Sequence, residues 1–257
     1  MIDALLFSNN SKYEFDEKTH TYYYDGQKVD ISVTSFIERY WPTFNLEKVS
    51  LQYAIKNNLD QQFVKDNWKR IGDIASLSGT IIHTYLENIN SGKLIEDNYS
   101  SAISLGLESE VRDRVDKLKG KAISFAKDIK DKLIPLRLEY TVGYKTFIAG
   151  NIDMIAYNKK YDEIQIWDYK NCKQIDISSS WEKCFYPFNN YDSCNFVHYS
   201  IQLSMYKALL QRLCNIKVGN CYLVHFNYEE KGNDYHIYKC EDFTNICDKE
   251  IDKLNDK

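Results

Sequence analysis

The sequence predicts an α/β protein, on three observations. Residues 102–133 carry the clearest helical period in the chain: Leu107, Val111, Val115, Leu118, Ala122, Phe125, Ile129 and Leu133 recur every three or four positions, with Lys and Asp on the other side. Four β-rich runs follow, LEYTVGY, KTFIAG, NIDMIAY and EIQIWDYK, separated by short turns. A further helical run, YSIQLSMYKALLQRL, and two more strand-like runs close the pattern. Periods of about 3.6 and of 2 that alternate along one chain place helices over a sheet.

Taken in order, residues 13–31 read as a hairpin turning at Asp25-Gly26, with His20 as a surface residue. Ser32-Val33-Thr34-Ser35 offers N-cap side chains for a short helix that stops before Pro42. Residues 46–90 look helical, with a break expected at Ser76–Gly79. Within the second piece His83 and Glu87 are four apart and share a face. That pair also suits a hydrogen-bonded core histidine beside an exposed glutamate. The long amphipathic helix is expected to end near Pro135 and to cover a sheet. The four β-rich runs read as a meander, with Gly150 free to admit another backbone or a ligand. Residues 171–199 form a long aromatic loop, whose rings can stack on bases or pack the loop down. In the next helix Gln202 and Tyr206 share one face, while Ile201, Met205, Leu209 and Leu213 carry the core stripe. A hairpin around Lys231-Gly232-Asn233 and a polar tail with at most one short helix complete the chain.

With 257 residues, 44% apolar and 27% charged, the chain can bury a core without staples, and one domain is expected. The formal charge of −4 gives no global basic field, which argues against a nucleic-acid coat protein but not against a local groove. No apolar run is long enough to span a membrane, and the N-terminus lacks the pattern of a secretory leader. The expectation is an intracellular protein, in the cytoplasm or a host cell compartment. The seven cysteines, all from Cys172 onward and none in a CxxC pair, then read as reduced thiols.

The chemistry concentrates between Ala149 and Lys170. Asp153 lies on one strand and Asp168 and Lys170 on the next, the last two on the same side by strand alternation. Carboxylates converging with a lysine are unfavourable to bury unless a cation joins them. Mg²⁺ and Mn²⁺ favour oxygen donors, which the two carboxylates and the Tyr169 carbonyl can supply. Lys170 would then hold the attacking water or offset charge on a phosphate.

Four short patterns occur in a telling order: Gly79 to His83 (GxxxH), Gly150-Asn151-Ile152-Asp153 (GxxD), Asp168-Tyr169-Lys170 (DxK) and Gln202 to Tyr206 (QxxxY). In these the chain resembles the PD-(D/E)XK nuclease superfamily, in particular its RecB-like branch, with the lambda-type exonucleases and the mitochondrial genome-maintenance exonuclease. The resemblance covers about residues 79–206. It implies a restriction-endonuclease-like core, a central mixed sheet flanked by helices. The division that follows is an N-terminal hairpin and helical part (1–78), a nuclease core (79–240) and a polar tail (241–257). It also implies one or two Mg²⁺ or Mn²⁺ ions held by His83, Asp153, Asp168 and the Tyr169 carbonyl. Glu87 would support them through water or from behind the ligands, and Glu139 could substitute as an active-site acid. Gln202 and Tyr206 would orient Lys170 or the scissile phosphate, and Ser32, Thr34 and Ser35 would line a substrate channel. Relatives with an iron–sulfur cluster use one early cysteine and three late ones; no cysteine precedes Cys172, so no cluster is expected. No Walker A motif occurs, so the chain is not itself a helicase.

The function implied is a metal-dependent DNA exonuclease in recombination, repair or replication, its partner DNA as single strands or duplex ends. An endonuclease, an enzyme acting on RNA, or an inactive nucleic-acid-binding subunit remain the alternatives.

Overall fold

The computed structural model describes residues 12–16, 19–94, 96–179 and 182–256. Much of the N-terminal stretch read for a leader (1–11, 17–18), and Trp181 of the aromatic loop, lie outside them.

The chain opens with a small antiparallel sheet of β1 (Tyr13–Asp16), β2 (Thr21–Tyr24) and β3 (Gln27–Lys28). Asp25 and Gly26 both take positive φ (52° and 77°), the two-residue turn whose twist matches a hairpin. The main sheet has six strands: β4 (Ile31–Ser32), β5 (Leu133–Tyr144), β6 (Ile148–Asn158), β7 (Glu163–Lys170), β8 (Cys221–His225) and β9 (His236–Lys239). It is mixed, with β4–β6 and β7–β8 parallel and the other pairs antiparallel.

Helices cover both faces. On one lie α1 (Val33–Glu38), α6 (Asn195–Cys214) and α7 (Thr244–Asp252), packed on Ile148, Ile155, Ile166 and Leu223. On the other, α3 (Gln61–Ser91) and α5 (Glu108–Ile129) pack on Met154, Ala156, Trp167 and Val224. Fully buried Phe125 centres that second core, meeting Trp167, Tyr169, Phe226 and Tyr235 at ring distances of 5.4–6.1 Å. Two further helices, α2 (Leu46–Asn57) and α4 (Ser100–Ser104), pack against α3. Among the described residues no helix is long and apolar enough to cross a membrane.

Several expectations change. The break at Ser76–Gly79 does not occur: α3 runs unbroken from its Asp60 cap to Gly92, so position 78/79 falls inside a helix. The weak helix formers there are overridden by packing. A Cβ at Gly79 would stand 3.2 Å from Asn171 Nδ2, so the bare glycine lets α3 approach the end of β7. The interruption lies earlier, at left-handed Asn58. The helix read to Pro135 starts at Glu108, after Gly106 (φ 68°), and ends at Ile129. Leu133 and Pro135 belong to β5, where the ladder is irregular between Pro135 and Arg137 because proline has no N–H to donate. The four expected β-runs are three strands. Gly150 is interior to β6, where a Cβ would stand 2.5 Å from Tyr206 Cε1. The neighbour it admits is a tyrosine ring rather than a backbone or ligand.

The aromatic loop is shorter than read, since α6 begins at Asn195. That helix is buried well beyond the expected stripe, Ser200, Leu203, Ser204 and Leu210 included. The tail is no loose appendage either: Cys247 and Ile251 are fully buried, and Tyr40 Oη donates to Glu250 Oε2 at 2.7 Å. A tail helix with every third or fourth residue in the core contributes to global stability. Replacing Ile251 by Ala should therefore lower unfolding free energy by roughly 2–5 kcal/mol in urea denaturation, where a detached tail would show no change.

Candidate metal centre

The centre forms where the sheet forks. β5 occupies one edge of β6 along most of its length. The other edge is shared: β7 pairs from Asn158↔Glu163 to Met154↔Trp167, and β4 pairs at Ile148 and Ala149. Residues 150–153 fall between the two partners. Asp153 fills the gap, its Oδ2 accepting from Tyr169 N at 2.7 Å where a ladder carbonyl would otherwise stand.

Strand alternation also fails here. Ile152 packs with the α6 core but Met154 with the α5 core, although two residues apart on a strand should share a face. On β5, Tyr140 and Leu138 divide in the same way. The switch falls on Glu139 and Asp153, which face each other in the register, and Glu139 has φ 46°, a left-handed backbone uncommon for a non-glycine residue. Such strain persists only where the surroundings enforce it. Here both side chains leave the two cores and turn to α3.

His83 comes from α3, one turn past the contact of Gly79 with Asn171. Its Nδ1 lies 3.4 Å from Asp153 Oδ1, and its Nε2 lies 3.1 Å from the Tyr169 carbonyl oxygen. His83, Glu139 and Asp153 offer ligand atoms within 4.8 Å of one another, a set that can hold a metal ion. Glu139 Oε2 accepts from Asn151 Nδ2 at 2.6 Å. On the neighbouring β7, Lys170 Nζ stands 2.6 Å from Asp168 Oδ2, which is buried and, among the described residues, has no hydrogen-bond partner beyond this ion pair. His83, Glu139, Asn151, Tyr169 and Lys170 border a cleft of about 480 Å³, walled by Phe15, His20 and Tyr22 of the hairpin and by Thr80, Thr84 and Glu87 of α3; Asp153 and Asp168 are buried and are not among its lining residues.

The electrostatics follow from carboxylates crowded out of water. Burial pushes Glu139 up to about 8, Asp153 adding to the shift. Burial raises Asp168 to about 6, with Lys170 opposing. For Asp153 burial acts upward, but the charge and hydrogen bond of His83, the Lys170 charge and the Tyr169 amide together outweigh it and hold the carboxyl below its usual range. Burial would lower His83, yet Asp153 and the other carboxylates lift it to about 9. Lys170 is likewise held above its ordinary value by Asp168 and Asp153, against desolvation. Near neutral pH the centre therefore holds two anions, Asp153 and Asp168, against two cations, His83 and Lys170, with Glu139 protonated.

The structure thus brings together His83, Asp153, Asp168, Tyr169 and Lys170, and it adds Glu139 beside Asp153. Glu87 lines the same cleft and lies 3.5 Å from Lys93 Nζ. Gln202 and Tyr206 are buried, Gln202 Nε2 donating to Tyr206 Oη at 2.9 Å; among the described residues no hydrogen bond joins either to Lys170. Ser32 caps α1: its Oγ accepts from Ser35 N at 3.1 Å and lies 2.9 Å from Thr34 Oγ1 and 3.1 Å from Ser35 Oγ. These hydroxyls are not among the cleft's lining residues. His20, read as a surface residue, is exposed and also forms part of the cleft wall. Sequence reasoning missed Asn151, Asn171 and Tyr199. Asn151 lies inside the GxxD pattern and Asn171 directly follows DxK, which was the available signal.

A divalent cation bound to His83 and Glu139 must displace the proton each carries at pH 7, so binding should release about two protons and tighten as pH rises from 7 to 9. Calorimetry in two buffers of different ionisation enthalpy measures that number, and release well below one proton would contradict the assignment of these charges. Searches against family models and against curated proteins match nothing in this chain.

Proposed function

We propose that the protein is a metal-dependent nuclease that hydrolyses DNA phosphodiester bonds, with a restriction-endonuclease-like core of the PD-(D/E)XK, RecB-like kind. The observation that carries this reading is the convergence, at one strand fork beside an open cleft, of three carboxylates, an imidazole, a backbone carbonyl and a lysine. The order of the GxxxH, GxxD, DxK and QxxxY patterns supports it.

The donor set fits a hard divalent cation. Carboxylate and carbonyl oxygens with one imidazole suit Mg²⁺ or Mn²⁺. Asp168 Oδ2, buried and met among the described residues by the Lys170 ion pair alone, is an acceptor with capacity to spare. His83, Asp153 and Glu139 would hold one ion, with the Tyr169 carbonyl and Asp168 as the remaining donors. When bound, Mg²⁺ or Mn²⁺ supplies the positive charge that offsets the charge developing on the phosphate. The chain's own contribution is then clear. Lys170, kept protonated by Asp168 and Asp153, presents an ammonium that binds a phosphate oxygen and stabilises added negative charge. Phe15 and Tyr22, stacked at 4.6 Å on the cleft wall, offer apolar ring surface to a base.

The reading takes the exonuclease form as first choice. One gel tests it, with end-labelled linear and circular single strands, duplex DNA and RNA, each with Mg²⁺, Mn²⁺ or EDTA. Linear DNA should be degraded only with metal, and circular DNA should survive; cut circles would make the enzyme an endonuclease, and preference for RNA would change the substrate. Asp168→Ala and Lys170→Ala should each lower the rate by roughly 10²-fold or more while circular dichroism stays unchanged. Wild-type rates in both variants, or cleavage indifferent to EDTA, would refute the mechanism.

A further inference from the structure

Lys170 has a second neighbour besides Asp168. Its Nζ lies 4.7 Å from the ring centroid of Tyr199, inside cation–π range. Tyr199 lies in the second turn of α6 and borders the same cleft as Lys170 and Cys172. It stands three residues before Gln202 and seven before Tyr206, so one face of α6 carries all three. Its hydroxyl interacts with the Cys172 thiol, and its ring lies 5.9 Å from that of His198. The ring is therefore held from several sides before it meets the lysine.

From this arrangement we propose that Tyr199 is the positioning residue for Lys170, its ring face fixing the ammonium at the mouth of the cleft. The role rests on the nuclease reading, within which Lys170 acts on the phosphate. A lysine has four rotatable side-chain bonds and loses much freedom when fixed, so a single contact leaves it loosely placed. Asp168 is an unreliable anchor on its own. It belongs to the acidic group, and any cation shared with that carboxylate weakens its hold on the ammonium. An aromatic face is not a competing metal donor and takes no proton from the lysine. It attracts the ammonium whatever happens at Asp168, and it limits the arc through which Nζ can swing.

The test uses the full chain with Tyr199 replaced by Phe, Leu and Met. The Phe variant keeps the ring and drops the hydroxyl. Leu and Met remove the ring while keeping an apolar side chain of fair size, and two of them guard against one failing to fold. The first readout needs neither metal nor activity: acetylation of the Lys170 amine by acetic anhydride, counted by mass spectrometry against exposed lysines. The second is kcat and KM on linear single-stranded DNA with Mg²⁺. In the Leu and Met variants, Lys170 labelling should rise and kcat should fall by about 2- to 30-fold, the range for a cation over an aromatic face, with KM unchanged. The Phe variant should stay within about twofold of wild type on both. Wild-type labelling in both ring-less variants would overturn the proposal, as would a Phe variant as impaired as Leu. If the wild type cleaves nothing while the labelling difference stands, the nuclease reading fails and the ring–lysine contact does not.

Discussion

The organisation of the molecule depends on one hydrogen bond, from Tyr169 N to Asp153 Oδ2. In an uninterrupted sheet that amide would meet a carbonyl on β6. Because β4 and β7 share one edge of β6, the ladder stops at Met154 and the amide needs another acceptor. A carboxylate supplies it, so the same group that closes the sheet also carries the charge of the centre. The fork, the face switch at Glu139 and Asp153, and the approach of α3 are three aspects of one constraint: an acid must stand where a strand partner is missing.

Placing charge there is unfavourable unless it is balanced. His83 and Lys170 do this for Asp153 and Asp168, and the third acid, Glu139, stays protonated near neutrality. Each cation is anchored twice. His83 reaches both Asp153 and the Tyr169 carbonyl, and Lys170 reaches both Asp168 and the Tyr199 ring. The protons on His83 and Glu139 occupy the place that a cation would take. Stability and ligand affinity are thereby linked through the same few protons. Around the centre the scaffold is apolar and rigid: Phe125 and its aromatic neighbours pack behind Tyr169, and α6 packs on the other face, its Tyr206 closing over Gly150. Polar groups that must hold a geometry sit well on such a frame, because neither core leaves side chains room to repack.

Much of this was legible in the sequence. Alternating periods announce a helix-covered sheet, Asp25-Gly26 announces the hairpin, and Ser32 announces the start of α1. The pairing of Asp168 with Lys170 follows from strand alternation alone. What misled were residues whose local preference loses to packing. Gly79 reads as a break but is where α3 touches Asn171, and Gly150 reads as a strand end but is where Tyr206 closes on β6. Pro135 reads as a helix stop but sits at an irregular point of β5. The tail reads as polar by composition, although Phe243, Cys247, Ile251 and Leu254 recur every three or four positions and all are buried.

The sequence by itself determined the element types, the side of β7 that carries Asp168 and Lys170, and the order of the polar patterns, because these rest on backbone period and chain order. Only the tertiary structure decided that Glu139 joins Asp153 and His83, that Gln202 and Tyr206 bond to each other beneath the sheet, and that Tyr199 faces Lys170. Those outcomes depend on where one strand loses its partner and on a left-handed backbone at a single glutamate. Both are consequences of long-range pairing, and a local pattern has no means of encoding them.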